Sequence, residues 1–384
     1  MQVQLYNLEP VLEVMGLGLL IAGLPLALFW RRQRHASSSQ RLKALTLLIL
    51  TLTFELVLVG AFTRLTDSGL GCPDWPGCYG QASPLGAHAE ISAAQQAMPT
   101  GPVTHGKAWI EMVHRYLATS VGVLIIVLTV WTWRVWWRER QLAVHPVWPT
   151  ITLAWVCLQG AFGALTVTMK LFPAIVTLHL LLALGLLVLL MAQSIRYSGW
   201  QEIALSVGLR RGVQAVTALL MVQIALGGWV STNYAVLACQ DFPLCQGSWW
   251  PHMDWQGFEL WRELGHTAAG ELLPFSALVS IHVVHRTMAW LVLAALLLLG
   301  WRLLRVPPLT KAARLLLALT LLQLLTGMSN VVLDWPLVAA LLHTGGASAL
   351  LLTLVWMWAR SHPQTASLSS AAGALPAASA KSVA

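Results

Sequence analysis

Residues 60–78 read GAFTRLTDSGLGCPDWPGC, and residues 227–245 read GGWVSTNYAVLACQDFPLC. Aligned without gaps, the two stretches share a glycine, an aspartate, a proline and two cysteines, with Cys72 on Cys239 and Cys78 on Cys245. Self-similarity at a fixed separation is the signature of an internal repeat. The chain is therefore predicted to consist of two related halves.

Two further matches follow in the same order along the chain. MVHR at 112–115 is similar to VVHR at 283–286, and TLHLLLAL at 177–184 is similar to LLHTGGASAL at 341–350. The separation between matching positions changes only slightly, as loops of different length would cause. The repeat thus extends over most of the chain.

The composition requires a membrane. Of 384 residues, 57% are hydrophobic and 10% are charged, against about 25% charged residues in an ordinary soluble domain. A spanning helix needs about 20 mostly apolar residues. Nine stretches meet that requirement: 11–30, 44–63, 110–133, 149–169, 174–195, 213–233, 275–301, 315–333 and 337–359.

These stretches predict an all-α integral membrane protein with two pseudo-symmetric four-helix transmembrane bundles and one extra N-terminal transmembrane helix. Because each half has an even number of helices, the halves run parallel and are related about the membrane normal. The predicted parts are 1–43 (extra helix and basic loop), 44–200 (N-terminal half), 201–360 (C-terminal half) and 361–384, an Ala- and Ser-rich tail expected to be disordered and cytoplasmic.

The basic residues orient the helices. Lys and Arg concentrate in cytoplasmic loops of membrane proteins, and all but six of the 23 basic residues here fall in one set of connections. The opposite side carries Arg64, Lys107, Arg115, Lys170, Arg262 and Arg286. The long loops 64–109 and 234–274 are therefore predicted to face outward. The net charge of +8 reflects this topology rather than nucleic-acid binding.

The first hydrophobic stretch differs from a signal peptide. It lacks a basic segment before it and a small-residue cleavage site after it, and Arg-Arg-Gln-Arg follows. We expect an uncleaved helix that begins outside the membrane.

Each half carries two histidines within apolar helices, His114 and His179 in the first and His285 and His343 in the second. All four lie within one to three turns of the outward-facing helix end. Two imidazoles that face each other across a helical bundle can hold a haem iron. A histidine in a membrane can instead simply hydrogen-bond to another helix. Zinc is disfavoured, since neither HExxH nor CxxC spacing is present.

Arg115 and Arg286 directly follow their histidines near the outer interface. Each could pair with a haem propionate, or extend towards lipid headgroups. Glu111 lies one turn before His114 on the same helix face, and the equivalent position in the second half holds His282. This asymmetry indicates one catalytic and one electron-transfer site. The alternatives are an i,i+4 ion pair from Glu111 to Arg115 and ligation by His282 instead of His285.

The cysteine pairs Cys72/Cys78 and Cys239/Cys245 lie in the outward loops, where an oxidising compartment would permit two intraloop disulfides. Their role could be to fasten the loops, to carry electrons or to bind a metal. Cys157 is isolated in an apolar run and is expected to be a small core residue.

The stretch GAFTRLTDSGLGCPDWPGCYGQ at 60–81, EMVHR at 111–115, VVHRTMAW at 283–290 and the helices of His179 and His343 resemble the haem A synthase family. The resemblance covers about residues 44–360. It implies an integral membrane oxidoreductase that converts haem O to haem A for cytochrome oxidase, oxidising the C8 methyl of the porphyrin to a formyl group through hydroxylated intermediates.

By that resemblance, His285 and His343 would ligate a resident haem b, and His114 and His179 would hold the substrate haem O beside an essential Glu111. Cys72 and Cys78 match the family's disulfide loop. The resemblance places the chain in a bacterial inner membrane with both cysteine loops periplasmic. The helix at 11–30 is additional to the family's eight, and His282 has no place in the family pattern.

The partners that follow are the lipid bilayer, haem O, an electron acceptor and the haem O synthase that makes the substrate, with a homo-oligomer left open. Two other functions compete. A di-haem cytochrome b type protein would transfer electrons from quinol without altering haem, and a haem transporter or chaperone would move haem unchanged.

Overall fold

The structure is a computed structural model that describes residues 9–140 and 144–363. Within these residues nearly all of the regular secondary structure is helical. The helices are α1 (Glu9–Gln33), α2 (Ser38–Leu65), α3 (His88–Ala97), α4 (His105–Glu139), α5 (Val147–Thr168), α6 (Pro173–Tyr197), α7 (Val207–Thr232), α8 (Phe275–Leu303), α9 (Thr310–Val332) and α10 (Leu337–Ala359). Short 3-10 helices occupy Ala235–Ala238, Trp255–Phe258 and Pro307–Leu309.

Nine of these helices, all except α3, are long and apolar enough to cross a membrane in the described part of the chain. The protein is therefore a multi-pass membrane protein, as the sequence predicted. Local signals set the helix starts. Ser37 and Gln40 form a capping box before α2, Thr104 and Ser206 cap α4 and α7, and Pro173 begins α6. Capping side chains satisfy backbone N–H groups that a helix start leaves without partners.

Two sets of four helices each close on themselves. In the first set α2 contacts α4, α4 contacts α5, α5 contacts α6, and α6 returns to α2. In the second set α7, α8, α9 and α10 follow the same circuit. The sets meet where α6 packs on α7 and where α10 packs on α2 and α6, while α1 packs on the outer side of α4.

The largest hydrophobic core lies at the helix ends away from the long loops. It includes Leu124, Leu187, Leu299 and Leu354, all of which are buried. Close van der Waals packing of this kind holds transmembrane helices together. The predicted histidines lie in the other halves of their helices, beneath the long loops.

Three expectations need correction. Cys157 is exposed on α5 rather than part of the core. Residues 361–363 form the strand β2 (Ser361–Pro363), which pairs in parallel with β1 (Ile203–Leu205), so the predicted disordered tail does not begin at 361; residues 364–384 lie outside the described residues. Helix α3, inside the first long loop, has little hydrophobic periodicity and was not predicted.

Candidate haem site

All four predicted histidines face a glycine on the preceding long helix. A methyl group added to Gly60, Gly163, Gly227 or Gly327 would lie 3.0–3.2 Å from the Cε1 atom of His114, His179, His285 or His343, respectively. A larger residue would push the imidazole away. The helix pairs α2/α4, α5/α6, α7/α8 and α9/α10 thus repeat one local arrangement four times.

The histidines lie at similar depths. His179 and His343 are six residues inside α6 and α10, and His114 and His285 are nine and ten residues inside α4 and α8. At 1.5 Å per residue these depths are about 9–15 Å below the loop-side helix ends. His114 and His179 are electrostatic neighbours, and so are His285 and His343. The structure therefore brings together the two pairs that the sequence predicted.

The surroundings of His343 are compatible with a proton on Nδ1 of the ring. The Thr326 hydroxyl donates to the carbonyl of Leu322 at 2.8 Å and lies 3.0 Å from Nδ1 of His343. While its one proton stays on that carbonyl, the hydroxyl can accept from Nδ1–H. The Nε2 lone pair of His343 is then free to bind a metal. A hydrogen bond to the opposite nitrogen is how proteins orient histidine ligands.

A glutamine lies four residues before the glycine in three of the four helix pairs, and sequence reasoning missed it. The side-chain nitrogen of Gln223 is 3.1 Å from Nδ1 of His285, and that of Gln323 donates to the His343 carbonyl at 2.9 Å. Gln159 is 3.5 Å from the ring of His179. In α2 the equivalent residue is Leu56. The signal was present as Gln-x3-Gly in three apolar helices.

The two histidine pairs differ in their support. Nδ1 of His285 and of His343 each has a side-chain neighbour, Gln223 and Thr326. Nδ1 of His114 and His179 is buried and lacks any hydrogen-bond partner among the described residues. Side chains of α7 and α9 therefore restrain the orientation of the second pair of imidazoles, whereas the first pair has no such contact at Nδ1.

Glu111 is 3% exposed and occupies a fully hydrogen-bonded position. One carboxylate oxygen accepts from the backbone N–H of Cys72 at 2.8 Å, and the other accepts from the guanidinium of Arg115. The i,i+4 ion pair considered from the sequence is thus formed. It places the carboxylate one helical turn from His114 and ties it to the first disulfide loop.

His282 takes the same position in the second half. Its Nε2 accepts from Nε of Arg286 at 3.2 Å, as Glu111 accepts from Arg115. His285, not His282, faces the repeated glycine. The structure thus makes His282 the counterpart of Glu111 and leaves His285 as the counterpart of His114.

Both arginines also hold the cysteine loops, which the sequence did not predict. Arg115 donates to the carbonyls of Asp74, Pro76 and Gly77. Arg286 donates to the carbonyls of Cys239, Asp241 and Leu244. Each guanidinium therefore fastens a loop over its own half, and contact of either arginine with a haem propionate stays a prediction.

Both predicted disulfides are present, Cys72–Cys78 and Cys239–Cys245. The two loops share a backbone design. Asp74 accepts from the N–H groups of Tyr79 and Gly80, and Asp241 accepts from those of Gln246 and Gly247. The N–H of Gly247 is the main cause that lowers the pKa of Asp241. The disulfide and these hydrogen bonds restrain each loop in one conformation above the histidines of its half.

A haem fits the residues at both histidine pairs. Each of the four histidines is half-buried, and the partnerless Nδ1 atoms in the first half indicate a missing polar neighbour. Among the described residues no group of three or more metal-binding side chains occurs. The arrangement suits a macrocycle held by two axial imidazoles.

The fold and these sites define a class: a multi-pass helical membrane protein with a histidine pair under a disulfide loop in each half. The model of the cytochrome oxidase assembly protein family matches residues 43–355. The chain belongs to that family.

Three relatives in the family are named haem A synthase. The one from Shewanella oneidensis is 38% identical over 82% of this chain and 97% of its own length. The relative from Allorhizobium ampelinum is 30% identical over 83% of this chain and 90% of its own. The relative from Halalkalibacterium halodurans is 27% identical over 78% and 89%.

Proposed function

We propose that this chain is a haem A synthase that oxidises the C8 methyl of haem O to a formyl group by successive hydroxylations. The family membership supports the synthase function. The observation that carries the more detailed mechanism is the duplicated Gly–His geometry combined with one difference between the halves, Glu111 in the first against His282 in the second.

The N-terminal half, 44–200, is the substrate side of this proposal, with haem O between His114 and His179. The C-terminal half, 201–360, holds haem b between His285 and His343, which supplies a one-electron redox centre when bound. The partners of Nδ1 support this division. A resident group benefits from ligands that Gln223 and Thr326 hold in place, whereas a substrate that must leave as product benefits from ligands held less firmly.

Glu111 carries the chemistry in this proposal. Removing electrons from the methyl group builds positive charge on the carbon beside the ring. A carboxylate nearby stabilises that charge or accepts the proton that is lost. Arg115 and the N–H of Cys72 fix the two carboxylate oxygens, so the group is positioned before the reaction begins.

Two further features belong to the proposal. Four-helix halves related by a pseudo-twofold axis are supported by contacts between repeat-equivalent residues: Arg64 donates to the carbonyl of Ser231, and the Tyr234 hydroxyl donates to Asp67. A membrane interface at the short loops is supported by arginines that cover tryptophans there, such as Arg140 on Trp136 and Arg305 on Trp301, and its assignment to the cytoplasmic side rests on the positive-inside pattern.

Product analysis tests this function. The protein is expressed in a host that makes haem O, purified, and its haems are extracted for mass spectrometry and absorption spectroscopy. Haem A or its hydroxylated precursor beside haem b is expected. Haem b alone, with haem O and redox partners supplied, would favour the di-haem electron carrier instead.

Glu111→Gln provides the sharper test. The amide keeps the size of the side chain but loses the charge, so both haems should remain bound while conversion falls by about 100-fold or more. The matched control is His282→Gln at the equivalent position, which should leave conversion within a few-fold of wild type. Full conversion by the Glu111→Gln variant would refute the catalytic role of the carboxylate.

A further inference from the structure

A groove with a volume of about 480 Å³ lies where α2 of the first half meets α9 and α10 of the second. Its walls are apolar except at one point, and include Phe54, Phe62, Leu322, Leu342, Gly345 and Gly346. The two glycines of α10 let neighbouring side chains approach closely, Leu58 at Gly345 and Gln323 at Gly346. Its volume is in the range of pockets that hold small ligands.

Glu55 is the polar exception in this lining. It is exposed and lies ten residues before the end of α2, or about 15 Å inside the helix. Its carboxyl group has no hydrogen bond or ion pair with any described residue. The repeat-equivalent residue is Val222, which is also exposed, at 49%, so the helix position itself does not call for an acid. An ionisable side chain at this depth is costly and marks a functional site by default.

The groove adjoins the support of the second histidine pair. Leu342 and Gly345 line it on either side of His343 along α10. Gln323 fills the space beside Gly346, so closely that a methyl group there would overlap its amide. The same amide donates to the carbonyl of His343 at 2.9 Å. One helix, about 10 Å in diameter, therefore separates the groove from the proposed haem b face.

We propose that this groove binds the ring of a membrane-soluble quinone, which accepts the electrons released by the reaction. This inference rests on the proposed function. The first hydroxylation converts R–CH3, water and quinone to R–CH2OH and quinol. The second converts R–CH2OH, water and a second quinone to R–CH(OH)2 and quinol, and loss of water then gives R–CHO. In each step the carbon loses two electrons and the quinone gains two electrons and two protons. A protonated Glu55 donates a hydrogen bond to a quinone carbonyl, and an ionised Glu55 accepts one from a quinol hydroxyl.

A lipid in the groove would explain the position of Glu55 less well than a quinone does. A lipid acyl chain would fill the apolar walls but leave the carboxyl group without a polar partner. A quinone has an apolar ring and tail for the walls and an oxygen for Glu55. It also reaches the site through the bilayer, to which the groove opens.

The binding test uses the full-length protein in nanodiscs with a photoactivatable azidoquinone, and maps labelled peptides by mass spectrometry. Labelling is expected on α2 and α10, with competition by unlabelled decylubiquinone. Glu55→Leu should weaken quinone binding by about two- to tenfold, as loss of a hydrogen bond between neutral groups would. Leu342→Trp should block the groove, and the control Val222→Leu should bind like wild type.

Three outcomes would overturn the proposal. Labelling that decylubiquinone does not compete away would indicate a lipid surface only, and labelling that Glu55→Leu leaves unchanged would exclude a role for the carboxyl group. A dimer in native mass spectrometry that dissociates in the Glu55→Leu variant would make the groove an interface between copies of the chain. A second readout follows reoxidation of the chemically reduced haem b band after quinone is added, which should slow in the Glu55→Leu variant and not in Val222→Leu.

The two proposals fail in distinguishable ways. Haem A formation without specific quinone labelling leaves the synthase function intact and refutes the groove assignment. Specific labelling at the groove without haem A formation keeps the quinone site and refutes the synthase function.

Discussion

The Thr326 hydroxyl is the most informative single contact at the second histidine pair. Replacing it with valine removes the acceptor for Nδ1–H of His343 while keeping the shape. We expect a weaker axial ligand, with haem affinity reduced by about 10- to 100-fold, the usual effect of losing such a partner. Haem retention during purification and the reduction potential of the bound haem would measure it.

Thr326→Ser supplies the control, because serine keeps the hydroxyl. It should restore both the haem content and the potential. If the valine variant retains haem at the wild-type potential, the hydroxyl does not orient His343.

The glycine opposite each histidine provides a second test at this scale. In α5, Gly163 faces the His179 ring, whereas nothing lies within 4 Å of the position that a Cβ on Gly160 would occupy. Gly163→Leu should displace the imidazole and abolish haem O binding in the first half. Gly160→Leu should not, although it adds the same side chain to the same helix. Spectroscopic titration of the haem-free first site with haem O compares them, and equal loss in both variants would contradict the proposed close approach.

The sequence predicted the histidines, both cysteine pairs and the Glu111/His282 asymmetry, because rare polar residues in apolar helices are visible without coordinates. It did not predict the partners of these residues. Whether Thr326 or Gln223 reaches an imidazole depends on how adjacent helices rotate against each other. The loop contacts of the two arginines could not be predicted for a similar reason, since their carbonyl partners lie about 40 residues away in loops whose folds no periodicity reveals.

At the scale of helices, the nine hydrophobic stretches were predicted well, but their ends were not. Helix α4 runs from His105 to Glu139, against a prediction of 110–133, because helices continue beyond the apolar core into the interface. Residues 88–97 form α3 despite few apolar positions. The outward position of Cys157 was not predicted, because a largely apolar helix gives little indication of which side meets its neighbours.

Helix α1 makes a prediction of its own. It packs on α4, the helix of Glu111 and His114, and Ser120 donates to the carbonyl of Gly18 at 3.1 Å. A side chain at Gly18 would overlap Thr119, whereas a Cβ at Gly23 would meet nothing within 4 Å. Gly18→Leu should therefore destabilise the protein by about 1–3 kcal/mol, seen as a lower thermal midpoint in detergent.

Gly23→Leu is the matched control and should leave the midpoint unchanged. A Gly18→Leu protein as stable as wild type would show that α1 is a peripheral addition. A loss of stability together with loss of haem from the first half alone would show that α1 supports that half.

For the whole molecule, orientation decides whether the proposed chemistry is consistent. The positive-inside pattern predicts that the disulfide loops and the loop-side histidines lie at the outer face. Two single-cysteine probes at exposed positions, Glu202→Cys between the halves and Ala268→Cys in the second long loop, test this in a Cys157→Ser background with both disulfides intact. In intact spheroplasts a membrane-impermeant maleimide should label the Ala268→Cys variant and spare Glu202→Cys, and inside-out vesicles should reverse the result. The opposite pattern would put the disulfides in a compartment that reduces them, and the proposed topology would have to be abandoned even if haem A is formed.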